Sequence, residues 1–254
     1  YKDLEYFSAQ YKEKIGLPLT ITGATPQTVR ENQIRVLVEG GMAGIRMGIQ
    51  SGAEKTKEQY KRGAANKTVQ KATHIINEHR KKLTPQYDLI IDNPYESDEE
   101  IVETLMLLST LPTPFVMAVY SLTFYPGTEL YNEARRDGLI TDDHKEVYRK
   151  YYHSCQKTYL NGLYFLIRDY AKHGSRIPTW VMYLMTRDQL RSCRLSHVVY
   201  AVMLAWKVHF IPMRMAELAS KTIGDLSRGD VFRIKRKIKL YVRKISSLIP
   251  TYAR

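Results

Sequence analysis

Cysteine is scarce in this sequence: 254 residues contain only Cys155 and Cys193. Two thiols so far apart exclude a disulfide framework and any local four-thiolate metal site. They read as isolated structural thiols. The seven histidines show no His-Glu-x-x-His or similar spacing, so none reads as a metal ligand. No continuous apolar run reaches spanning length, and no secretory leader is expected. Internal repeats and low-complexity tracts are also missing. The first residue is Tyr1 rather than Met, and Leu4, Tyr6, Phe7 and Tyr11 already suggest a helix. We therefore expect a piece of a longer, cytoplasmic polypeptide.

What is present is enough apolar residue, 44%, for a real core, so global disorder is excluded. The net charge of +13 is distributed unevenly. Residues 1–145 carry a net −2 and residues 146–254 a net +15. Such a step separates two regions with different surroundings.

The first region alternates. An apolar, β-rich run from Leu17 to Thr22 ends at Gly23-Ala24-Thr25-Pro26, and a helical pattern through Val29, Ile34, Leu37 and Val38 stops at Gly40-Gly41. A second strand reads Gly44 to Gln50, then a loop leads to a helix over about Asn66 to Lys82. A third strand, Tyr87 to Asp92, ends in Asn93-Pro94. Ser97-Asp98-Glu99-Glu100 then starts a helix, with carboxylates at the positive end of its dipole. A fourth strand is expected over Phe115 to Phe124, ending in Tyr125-Pro126-Gly127-Thr128. Strand–helix repeats of this length predict an α/β fold with a parallel sheet, whose chemistry sits at the C-terminal strand ends. Ordinary β/α turn chemistry accounts for any one of the glycine-rich and polar strand ends. Four in register point instead to a ligand. From Lys145 onward the chain reads as successive helices rich in tyrosine, methionine, leucine and basic residues.

Taken together, Met47-Gly48-Ile49-Gln50-Ser51-Gly52-Ala53-Glu54, Tyr60-Lys61-Arg62, Asp88-Leu89-Ile90-Ile91-Asp92-Asn93-Pro94-Tyr95-Glu96 and Phe124-Tyr125-Pro126-Gly127-Thr128-Glu129-Leu130 resemble the second half of the radical S-adenosylmethionine (SAM) barrel. The Asp-Asn-Pro-Tyr-Glu turn is most similar to the cobalamin-binding subclass. The resemblance implies the C-terminal portion of a partial TIM-type (β/α) barrel over residues 1–143, its third to sixth strands, and a basic α-helical extension over 144–254. It implies that Gln50 bonds the SAM ribose with Ser51 beside it, and that Arg62 pairs with the SAM carboxylate. Gln keeps an acceptor and adds donors where relatives often carry Glu. Asp88 would reach the ribose, Asn93-Pro94 would underlie the adenine, and Tyr125 would stack on it. Arg62, Asp88 and Tyr125 each have a bland reading too, as a solvated helix residue, a surface carboxylate and a core aromatic. A small-molecule or lipid-like substrate is expected near Tyr95, Ser121, Thr123 and Phe124. Gly23 stands where relatives often place a carboxylate.

The family's CxxxCxxC loop and its Gly-Gly-Glu-type motif are not in this sequence. The resemblance thus implies that a [4Fe-4S] cluster, and cobalamin if used, are held by a missing N-terminal half. The isolated chain is expected to bind no cluster and to be inert by itself. The activity implied for the whole enzyme is modification of an unactivated carbon by methylation, rearrangement or ring formation. The alternatives are a methylthiotransferase-like protein acting on tRNA and a non-catalytic module. Val231 to Ile245 fits a basic amphipathic helix, and Val198 to Trp206 a buried or interfacial one. Such a tail could cover the barrel, dock peripherally on an anionic membrane surface, or contact nucleic acid.

Overall fold

The computed structural model describes residues 1–191. The expected tail helices and Cys193 lie outside the described residues. The chain opens with helix α1, Lys2–Lys14. Strand β1, Leu19–Ala24, helix α2, Glu31–Glu39, and strand β2, Met42–Gln50, follow. Next come α3, Glu54–Gln59, α4, Asn66–Glu78, β3, Thr84–Ile91, α5, Asp98–Thr110, β4, Val116–Ser121, and α6, Glu129–Arg136. A π-helical turn at His144–Tyr148 precedes α7, Tyr159–Lys172, α8, Thr179–Met185, and α9, Asp188–Arg191. The four strands form one parallel sheet in the order β1-β2-β3-β4. The expected α/β class is what the structure shows.

The sheet's alternation decides which face is core. Ile45, Met47 and Ile49 of β2, Tyr87, Leu89 and Ile91 of β3, and Met117 and Val119 of β4 are buried on one face. Each such side chain contributes about 1.5–3 kcal/mol by leaving water. On that side α2 packs on β2, and α7 packs on β4 and on α5. The opposite face carries Gly44, Arg46, Gly48 and Gln50 of β2, Asp88 and Ile90 of β3, and Ala118 and Tyr120 of β4, all half-buried. Helix α5 starts where its carboxylates predict. Ser97 accepts the Glu100 N–H at 3.4 Å, and Glu100 accepts the Ser97 N–H at 2.6 Å.

Several boundaries differ from expectation. The first strand lies at Leu19–Ala24, and Leu17 is 63% exposed. The fourth strand stops at Ser121; Leu122 still donates to the Ile91 carbonyl at 2.8 Å, and its side chain and that of Phe124 pack with Ala134, Ile140 and Val147 in a second small core. The stretch after Gln50, expected as loop, contains α3. Helix α1 buries Ser8, not its aromatic stripe, since Gly40 approaches so closely that a β-carbon there would lie 2.7 Å from Ser8 Cβ. Beyond residue 143, α7 continues to pack on the α/β elements. Among the described residues no helix is long and apolar enough to cross a membrane.

Candidate functional site

The C-terminal edge of the sheet holds two non-glycine residues in the left-handed region, Gln50 at φ 68° and Asp92 at φ 61°. Each sits where its strand ends. At Gln50 the β2–β3 register slips, with Gly48 opposite Asp88 and Gln50 opposite Leu89. The resulting bulge turns the chain and re-aims the side chain. The Gln50 amide folds back over Gly48, where a β-carbon would lie 2.6 Å from Gln50 Nε2. Glycine at 48 is therefore what leaves room for the amide in this position.

Two adjoining cavities open at this edge. The larger, about 760 Å³, is walled by Gln50, by Glu58 to Arg62 at the end of α3, by Leu122 to Tyr125, and by Thr128 to Leu130. The smaller, about 450 Å³, is walled by Arg46, Asp88, Tyr120, Ser121 and Tyr152. Gln50, Ile90, Leu122, Thr123 and Tyr125 line both. The structure thus brings Gln50, Arg62, Thr123, Phe124 and Tyr125 together in the larger cavity, with Tyr125 62% exposed. Lys61, at φ 54°, also lines it and pairs with Glu129 on the facing wall.

The loop carrying Arg62 is fixed from beneath by Lys57. Its ammonium is buried and donates to Glu54 Oε1 at 2.7 Å, the Ala64 carbonyl at 2.9 Å and Asn66 Oδ1 at 3.0 Å. The Arg62 N–H in turn donates to the Lys57 carbonyl at 2.7 Å. Sequence reasoning missed Lys57, because a lysine in a polar stretch normally faces water. It also missed Arg46, which donates from Nε to Asp88 at 2.6 Å and from Nη2 to the Tyr120 hydroxyl at 2.6 Å. The alternation Gly44-Ile45-Arg46-Met47-Gly48 does signal a lone charge on a glycine-flanked face.

Other expected residues lie elsewhere. Ser51 is buried, donates to Glu96 at 3.2 Å, bonds Thr104 at 3.0 Å and lines neither cavity. It ties the β2 turn to α5. Glu96 also accepts from Thr56 at 3.1 Å, and burial raises its carboxyl to about 6 despite both bonds. Asn93 and Pro94 line a third cavity of about 290 Å³. Asn93 reaches the larger one indirectly, donating to Gln59 at 2.8 Å. Tyr95 donates to Asp137 at 2.8 Å and packs against the second core, its hydroxyl raised to about 12, mainly by burial. Asp88, paired with Arg46, lines the smaller cavity. Asp92 accepts from the Gln156 N–H at 3.0 Å and from Asn161 at 2.7 Å, anchoring the segment before α7. Burial and Asp92 raise the Cys155 thiol, as for an unreactive cysteine.

The larger cavity combines an amide, a guanidinium and an exposed phenol ring. An amide can bond a pair of ribose hydroxyls, a guanidinium can take a carboxylate, and an exposed phenol ring can stack on a base. Among the described residues no cluster of His, Cys, Asp or Glu could hold a metal ion.

No family model matches the chain. The bacteriochlorophyllide d C-8(2)-methyltransferase of Chlorobaculum tepidum is 30% identical over 117 residues, 45% of this chain and 25% of the relative. Among solved structures, the radical SAM enzyme coproporphyrinogen III oxidase (HemN) of Escherichia coli is 16% identical, with a TM-score of 0.43, over 57% of this chain and 34% of that one. The radical SAM methyltransferase TsrM of Kitasatospora setae, solved with cobalamin and a [4Fe-4S] cluster, is 12% identical, with a TM-score of 0.43, over 54% and 27%. Elp3 of Methanocaldococcus infernus is 24% identical, with a TM-score of 0.40, over 47% and 28%. The chain spans about a quarter of the curated relative it matches and no more than 34% of these solved chains.

Proposed function

We propose that this chain is the nucleoside-binding half of a radical SAM enzyme, and that the whole enzyme methylates or otherwise modifies an unactivated carbon. One observation carries the reading: Gln50, Arg62, Thr123 and Tyr125, separated by up to 75 positions in sequence, line one cavity at the C-terminal edge of a parallel sheet. The 30% identity to a methyltransferase over 117 residues supports the methylation branch.

In this reading Gln50 bonds the ribose hydroxyls, Arg62 holds the SAM carboxylate, and Tyr125 covers the adenine. A charge-assisted pair such as that of Arg62 is worth about 1.5–3 kcal/mol. When bound, a [4Fe-4S] cluster would supply the electron that cleaves SAM; its ligands would lie outside these residues. Cobalamin use rests on the Asp92 to Glu96 turn, and its binding likewise falls outside these residues. This chain's own part is to orient the nucleoside and shield it from water. The basic helix expected over Val231 to Ile245 would face an anionic membrane surface or, less readily, nucleic acid.

The test is the anaerobically reconstituted full-length polypeptide, assayed for products of SAM consumption. Gln50→Ala and Arg62→Ala should each lower turnover at subsaturating SAM by about tenfold or more. Full turnover in both variants would remove the assignment.

A further inference from the structure

The smaller cavity is not needed for a nucleoside. Its floor is a diagonal across three strands. Arg46 stands on β2, Asp88 lies opposite Gly48 one step further along, and Tyr120 lies opposite Ile90 further still. Gly44 and Gly48 flank Arg46 on its own face, with the Thr20 side chain reaching over Gly44 and the Gln50 amide over Gly48. A guanidinium carries five N–H groups. Nε serves Asp88 and one Nη2 hydrogen serves Tyr120; the others have no partner among the described residues. The Arg46 side chain is 39% exposed, against 15% for Asp88, so the arginine is the open member of the pair.

Aromatic rings make up the rest. Arg46 lies 5.7 Å from the Tyr120 ring centre. His153 stacks on Tyr120 at 5.3 Å and 29°, and Tyr152 meets it at 5.8 Å. Tyr152 is held in place because its carbonyl accepts the Ser121 N–H at 2.7 Å. Tyr120 and Tyr152 both line the cavity.

We propose that this cavity is the chamber for the molecule to be modified, and that it takes a planar aromatic carrying a carboxylate. The proposal rests on the nucleoside reading for the role of the chamber, and on this geometry alone for what the chamber binds. Arg46's remaining N–H groups donate only to a lone-pair acceptor, and an ionised acceptor binds most strongly. A single negative charge suits the site better than a phosphate dianion, because Asp88 already holds one carboxylate against the same guanidinium. The tyrosine faces and the Ile90 and Leu122 side chains suit a flat conjugated ring. A volume of about 450 Å³ fits a small molecule. The wall shared through Gln50 and Thr123 places that ring beside the nucleoside.

The experiment titrates the full 254-residue chain at neutral pH with 1-naphthoate, with 1-naphthamide as its uncharged counterpart, and separately with S-adenosylhomocysteine. We expect naphthoate to bind about tenfold more tightly than the amide. Arg46→Gln should abolish that preference while changing S-adenosylhomocysteine affinity by less than about threefold. No preference in the wild type overturns the proposal, whatever the variant does, and so does a preference that survives in a folded Arg46→Gln protein. If the preference depends on Arg46 but S-adenosylhomocysteine fails to bind, the nucleoside reading falls and the aromatic carboxylate site stands. Nucleoside binding with no naphthoate preference gives the reverse.

Discussion

Replacing Lys57 by Met should damage the candidate site without touching any residue that lines it. Methionine keeps much of the volume and apolar length of the lysine stem, so packing loss is small. What goes is an ammonium with three acceptors, at 2.7 Å from Glu54, 2.9 Å from the Ala64 carbonyl and 3.0 Å from Asn66. Glu54, 65% exposed at its side chain, regains water and costs little. The Ala64 carbonyl and Asn66 Oδ1 each lose a donor, at about 1–3 kcal/mol apiece. The recovered desolvation of the ammonium offsets part of this, leaving a loss of about 2–4 kcal/mol. Urea unfolding of the full chain measures it. For a chain of this size the melting temperature should fall by very roughly 5–15 °C. The Arg62 loop should loosen with it, so S-adenosylhomocysteine affinity should drop although Lys57 meets no ligand. A loss under about 0.5 kcal/mol, within the range of ordinary surface substitutions, would refute the clamp.

Other consequences follow from the same geometry. Glu96 has a folded-state value of about 6 against 4.5 ordinarily, so its contribution to stability is full below 4.5 and is lost as pH rises through 6. Urea unfolding across that window should show a loss of about 2 kcal/mol that Glu96→Gln flattens. Gly48→Ala should leave stability unchanged or slightly raised, since alanine suits a strand interior better by about 0.5–1 kcal/mol and only the flexible end of Gln50 must move. It should still weaken S-adenosylhomocysteine binding, read by calorimetry. Asp92→Ala loses the bonds from Gln156 and Asn161 and forces alanine to φ 61°, for about 2–4 kcal/mol. Asp92→Gly, without the backbone cost, should be the milder variant in the same unfolding assay.

The strand–helix order was legible because strands buried on one face and helices with one apolar side leave unmistakable periods. Gly44 to Gln50 and Tyr87 to Asp92 both fall within or against real strands. The start of β3 at Thr84 was not legible, since Thr84-Pro85-Gln86 contains the one residue that cannot donate to a ladder; at a strand's first turn it need not. Helix α3 was hidden by its short, polar sequence, whose stability comes from Lys57 and tertiary contacts rather than from an apolar stripe. The larger cavity's wall was legible at Gln50, which ends a strand, and at Arg62, twelve residues on. The smaller cavity's floor was not, since two strands must first be placed side by side. Nothing in the order of residues announces that Arg46 and Asp88, 42 positions apart, form a pair. Nor does the sequence reveal that Ser51, beside Gln50, turns inward to Glu96 while Asn93 and Pro94 open onto a different cavity.

The central claim is that Gln50 and Arg62 belong to one nucleoside site. Calorimetric titration of the full chain with S-adenosylhomocysteine, in the wild type and in Gln50→Ala and Arg62→Ala, tests it most directly. Saturable one-to-one binding to the wild type is expected, weakened by about tenfold or more in each variant while both unfold as the wild type does. Absence of saturable binding, or affinity unchanged in both folded variants, would contradict it.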